Sequence, residues 1–111
     1  MNHNSLLKRF CDYVKIDTQA DENSKTYPST NGQLELGKML VKELHDIGIK
    51  DAYQTEYGLV FGTIPSNAGR SIPVIAWVAH MDTSPETTGK NVAPIIHENY
   101  DGKDITLPKD K

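Results

Sequence analysis

Apolar residues fall at positions 6, 7, 10, 11 and 14, the three-and-four spacing that gathers side chains on one helical face, and they predict a first helix over residues 5–14. A second stripe runs through Leu36, Leu40, Val41, Leu44 and Ile47. Thr30 and Gln33 precede it in the form of a capping box, and Gly48 follows as a left-handed stop. The pattern predicts a second helix of about five turns over residues 31–47. Glu35, Lys38, Lys42 and Asp46 lie largely off its apolar stripe, which leaves that stripe to cover one face of a sheet.

Residues 17–28 are polar, lack usable periodicity and end on a proline, so they predict a surface loop. Beyond the second helix the pattern changes to that of strands, at 52–55, at 59–64 after a turn at Gly58, and at 72–79 after a loop over 65–70. The last of these is almost continuously apolar from Ile72 to Ala79, which predicts a strand buried on both faces. Past residue 83 the pattern weakens, with short candidates at 93–97 and 104–107 around an Asp101-Gly102 turn. Two helices ahead of a buried strand specify an α/β layered domain, and 111 residues accommodate one domain.

Composition narrows the function. With 37% apolar and 24% charged residues the chain is an ordinary soluble polypeptide. Twelve basic against fifteen acidic residues give a net charge of −3 without a basic stripe, which argues against nucleic-acid binding. The run at 72–79 is too short to span a bilayer, so no membrane partner is expected. Lys8, Arg9, Asp12 and Lys15 interrupt the apolar segment that a secretory signal would need, so a cytoplasmic location is expected. Cys11 is the only cysteine; it falls in the first helical stripe and reads as a small hydrophobe rather than a nucleophile. Any metal must then be held by histidine and carboxylate.

The candidate chemistry sits directly after the apolar run, in His80-Met81-Asp82-Thr83-Ser84-Pro85. Ligands bind at the carboxyl ends of strands in open α/β sheets, where the covering helices leave a crevice. Strand alternation points His80 and Asp82 to one side, where the carboxylate can accept the imidazole N–H. That bond fixes the tautomer and leaves the other ring nitrogen for a metal. By itself His-x-Asp reads as a solvated or capping pair; its place at the end of an apolar strand brings metal or acid–base use level with that reading. The remaining groups take plainer readings. His45 is a partly exposed imidazole favoured by the helix C-terminus, His97 a strand-surface residue and Trp77 part of the core. Ser84 lacks the glycines of a nucleophile elbow, and Thr88-Gly89-Lys90 lacks those of a phosphate loop.

The stretch His80-Met81-Asp82-Thr83 resembles the first metal-binding motif of the M20 family of zinc peptidases. Ser84-Pro85, Gly89-Lys90-Asn91-Val92 and Glu98-Asn99-Tyr100 are similar to an aminopeptidase branch of it. Asp17-Thr18-Gln19 and Pro28-Ser29-Thr30-x-Gly32-Gln33 fit the same family, so the likeness covers nearly the whole chain in order. Met81 stands where the family often has another apolar residue.

The resemblance implies a zinc-dependent aminopeptidase that releases the N-terminal residue from tripeptides and carries two zinc ions. His80 is similar to a ligand of one zinc, and Asp82 to the catalytic residue that orients this histidine and tunes the metal. Residues 1–111 would then form the N-terminal part of an M20-type zinc-exopeptidase catalytic domain, with two N-terminal helices and a mixed sheet. The later strands, the other ligands, the general-base glutamate and a domain for homodimerisation would lie beyond Lys111, and the chain alone would be inactive. The tail at 108–111 has no closing element and agrees with that expectation. Two alternatives stand beside it: an M20 hydrolase acting on N-acyl amino acids or dipeptides, and a short non-catalytic binding protein.

Overall fold

Both apolar stripes become helices. In a computed structural model that describes residues 3–107, α1 spans His3–Tyr13 and α2 spans Asn31–Asp46. The tail at 108–111 lies outside the described residues.

Thr30 occupies the N-cap of α2 with extended backbone, φ −140° and ψ 154°, as the sequence predicts, but its hydroxyl does not cap the helix. It donates instead to the Gln19 carbonyl at 2.9 Å, while Gln33 Nε2 donates to Ser29 Oγ at 3.1 Å. The capping-box residues therefore tie the polar loop to the start of α2. At the other end Gly48 takes φ +97°. Its N–H donates to the His45 carbonyl and that of Ile49 to the Leu44 carbonyl, both at 2.9 Å, the paired bonds of a Schellman stop. His45 Nε2 lies 2.9 Å from the Ala52 carbonyl and joins the helix end to the strand that follows.

The Tyr13 hydroxyl of α1 donates to the Glu43 carboxylate of α2, and Arg9 Nε lies 3.5 Å from the same carboxylate. Burial, and after it the bond to Glu43, push the Tyr13 phenol up to about 12. A raised folded-state value means that this tie contributes in full below an unfolded phenol's value of about 10 and is lost as pH rises through the folded one. Tyr13→Phe is expected to remove an ionisation near pH 12 from the ultraviolet titration, and Glu43→Gln to move it to lower pH. An unmoved step in the Glu43 variant would break the assignment.

A small antiparallel sheet follows, β1 at Tyr53–Gln54 and β2 at Val60–Phe61, in the register Tyr53↔Phe61 and Gln54↔Val60. The predicted strands at 52–55 and 59–64 are thus shortened to two residues each. Gly58, at φ +82°, donates its N–H to the Thr55 carbonyl at 3.0 Å, which closes the three-residue loop that a left-handed glycine permits. The rings of Tyr53 and Phe61 stack at 5.5 Å. α2 packs on this hairpin at Gly37, where the absent side chain lets Gln54 Nε2 reach the Leu34 carbonyl at 3.2 Å. Leu36 and Ala52 are the buried apolar residues among those described.

The run at 72–79 is the main correction. It forms no strand, and Val74, Trp77 and Val78 are 96%, 95% and 93% exposed. A doubly buried strand needs a hydrogen-bonded neighbour on each edge and a layer on each face. The described residues supply neither, and no backbone hydrogen bond among them involves 72–79. Trp77 is accordingly not a core residue. The candidates at 93–97 and 104–107 also form no strand, although Gly102 does adopt a turn conformation at φ +83°.

In place of a mixed sheet the described residues have the antiparallel hairpin and one isolated parallel bridge, Gln19↔Thr83. Its accessible surface is 9696 Å², against about 6,100 Å² for a compact monomer of this mass. The elements are those of a partial α/β layer. Among the described residues no helix is long and apolar enough to cross a membrane.

Candidate metal-ligand site

The segment carrying His80 and Asp82 is held at its far end by the polar loop. Thr83 N–H donates to the Thr18 carbonyl at 3.2 Å, and Ala20 N–H donates to the Thr83 carbonyl at 2.9 Å. Gln19 Nε2 donates to the carbonyls of Pro85 and Thr87, both at 3.0 Å. The Thr30 bond to Gln19 fastens this arrangement to α2, and Thr18 at its centre is 3% exposed.

Two glycines allow the approach. A Cβ on Gly32 would lie 1.7 Å from the Asp17 carbonyl oxygen, and one on Gly89 would lie 2.6 Å from Asp17 Oδ1. None of Gln19, Gly32 and Gly89 stands out by periodicity. The signal that singles them out is the family resemblance of the stretches that hold them.

His80 and Asp82 lie together, but no strand carries them and the Nδ1 hydrogen bond goes to the Asp82 main-chain oxygen rather than to its carboxylate. Nδ1 of His80 lies 3.3 Å from Asp82 Oδ1 and 2.9 Å from the Asp82 main-chain oxygen. Both neighbours are acceptors, so the hydrogen belongs on Nδ1 and the lone pair on Nε2. Nε2 has no protein partner among the described residues, and the His80 side chain is 84% exposed. The pair borders a cleft of about 410 Å³ whose other walls include Tyr13, Ile16, Leu36 and Val92.

The remaining candidates stay outside the site. Cys11 is free and half-buried, His97 is exposed, and Ser84 Oγ accepts the Glu86 N–H at 3.4 Å as a turn residue. Among the described residues no three or more His, Cys, Asp or Glu gather where they could hold one metal ion. The donor set fits a single imidazole ligand with its orienting carboxylate, short of the three protein ligands that a catalytic zinc uses.

No family model matches the sequence. Against curated proteins the chain is 55% identical over 105 residues to peptidase T of Listeria monocytogenes serotype 4b, covering 95% of this chain and 26% of that protein. The chain is similar to peptidase T. The peptidase T of Bacillus mycoides is 53% identical over 102 residues, and that of Bacillus pumilus 50% over 105. The chain spans about a quarter of the length of these peptidase T relatives, and an N-terminal portion fits the match. With 105 of 111 residues inside the Listeria alignment, the interior stretch from His80 to Thr83 falls within it.

Proposed function

We propose that this chain contributes the first metal ligand of a zinc-dependent aminopeptidase of the peptidase T kind, which releases the N-terminal residue from tripeptides. The observation that carries the reading is the His80–Asp82 pair: an imidazole whose Nδ1 is engaged and whose Nε2 is open, inside the region similar to peptidase T. His80 would hold one zinc through Nε2, and Asp82 would keep the ring oriented and raise its basicity. A bound zinc supplies the Lewis acidity that polarises a peptide carbonyl. The other ligands, the second zinc, the general base and any dimer contact would come from sequence beyond this chain. The partial α/β layer would be the start of an M20-type catalytic domain.

The test is a chimera in which residues 1–111 replace the matching stretch of the Listeria monocytogenes peptidase T, assayed with zinc on tripeptides, dipeptides and N-acyl amino acids. Release of the N-terminal residue from tripeptides is expected. Hydrolysis of the N-acyl substrates instead would move the chain to the other M20 reading, and a folded chimera inactive on all three would end the enzyme reading. The 111-residue chain alone is expected to bind zinc weakly in calorimetry, because one histidine and its carboxylate do not satisfy the ion. Tight stoichiometric binding would overturn the assignment of a single ligand.

A further inference from the structure

One side-chain amide grips the turn that follows Asp82. The Gln19 NH2 group has two hydrogens, and two carbonyls lie 3.0 Å from its nitrogen, those of Pro85 and Thr87. Its main chain pairs with Thr83 in the isolated parallel bridge, and its own carbonyl accepts the Thr30 hydroxyl at the start of α2. Asp17 extends the grip: Oδ1 accepts the Gln19 N–H at 3.2 Å, and a Cβ on Gly89 would come within 2.6 Å of the same oxygen. The segment after the metal-ligand pair is therefore met by the polar loop at residues 83, 85, 87 and 89.

We propose that Gln19 is a positioning residue for the His80–Asp82 pair: its side-chain amide fixes the turn, and through the turn it fixes the direction in which the pair is aimed. The bridge at Thr83 is a single point of attachment, about which the chain can rotate. The bonds at 85 and 87 hold the segment on the far side of that point, so a rotation they prevent is one that would carry His80 and Asp82 with it. The tolerance is narrow, since a functional side chain must be held to about 0.5 Å and a displacement of about 1 Å costs on the order of a hundredfold in rate. Gln19 touches neither member of the pair; it acts through the turn, and the Thr30 bond refers that turn to α2. The effect on activity rests on the peptidase reading, whereas the effect on the geometry of the pair does not.

Two substitutions test it. Gln19→Glu keeps the size and sets an acceptor against two carbonyl oxygens, and Gln19→Met removes the donor without adding charge. In the 111-residue chain the ring-nitrogen NMR shifts of His80 are expected to move in both variants, with the amides of Asp82 and Thr83, while the amides of β1 and β2 stay in place. A movement common to both variants reports the lost donor rather than the new charge. In the peptidase chimera, kcat per bound zinc is expected to fall about tenfold in Gln19→Glu and less in Gln19→Met, with zinc counted by atomic absorption. A residue that only stabilised the loop would lower the unfolding midpoint and leave kcat per bound zinc as it was, and that result would overturn the proposal. His80 ring shifts that move in neither variant would overturn it as well. A chimera with Gln19 intact that is inactive on every substrate would end the peptidase reading instead, and the ring shifts would then decide alone whether Gln19 aims the pair.

Discussion

Gly32→Ala is expected to destabilise the chain by about 2 kcal/mol, despite placing a better helix former near the start of α2. The added Cβ would lie 1.7 Å from the Asp17 carbonyl oxygen, 2.8 Å from its carbon and 3.5 Å from Thr18 Cα. All three are backbone atoms, so no rotamer change relieves the clash. The loop at 17–20 must move off the helix, and it carries the bonds to Thr83 as it goes. Chemical denaturation followed by circular dichroism measures the stability. Amide exchange at Ala20 and Thr83, whose N–H groups bridge the two segments, measures the decoupling. Unchanged exchange at both amides would show that the loop does not depend on this contact.

In the peptidase chimera, Asp82→Asn is expected to lower kcat/KM about tenfold, toward the lower end of the 10–100-fold range for partners of metal ligands. The reason lies in the two acceptors of His80 Nδ1. The Asp82 main-chain oxygen, at 2.9 Å, is closer than Oδ1 at 3.3 Å and survives the substitution. The tautomer and much of the ring orientation should therefore persist, and what is lost is the negative charge that makes the imidazole a stronger ligand. His80→Ala removes the proposed ligand and is expected to abolish zinc-dependent activity and lower bound zinc measured by atomic absorption. Full activity in the Asp82 variant would make the carboxylate a bystander.

The helices were legible because their information is local: a stripe at helical spacing, with glycine at the stop. The His80–Asp82 contact was legible for a similar reason, since two residues separated by one can meet without help from distant chain. The bonding at Thr30 was not, because the same hydroxyl can cap its own helix or reach the Gln19 carbonyl, and the choice depends on where the loop lies. Gln19 entered only through the family resemblance and its contacts were not foreseen, because its work is a single parallel bridge and two side-chain bonds more than sixty residues away, which leaves no period. Residues 72–79 were read correctly as apolar and incorrectly as buried. Burial belongs to neighbours as much as to the segment, and no described residue pairs with its edges.

The exposed segment also affects how the molecule travels through solution. A compact chain of 111 residues has a radius of gyration of about 13 Å. This one measures 17.6 Å, with extents of 59 × 43 × 23 Å. That radius is what a compact protein of about 240 residues would have. On a sizing column a lone copy is therefore expected to emerge early, close to where two well-packed copies would. Elution volume alone would report an assembly that is not there; scattering intensity or sedimentation, which weigh the particle, tell the two apart.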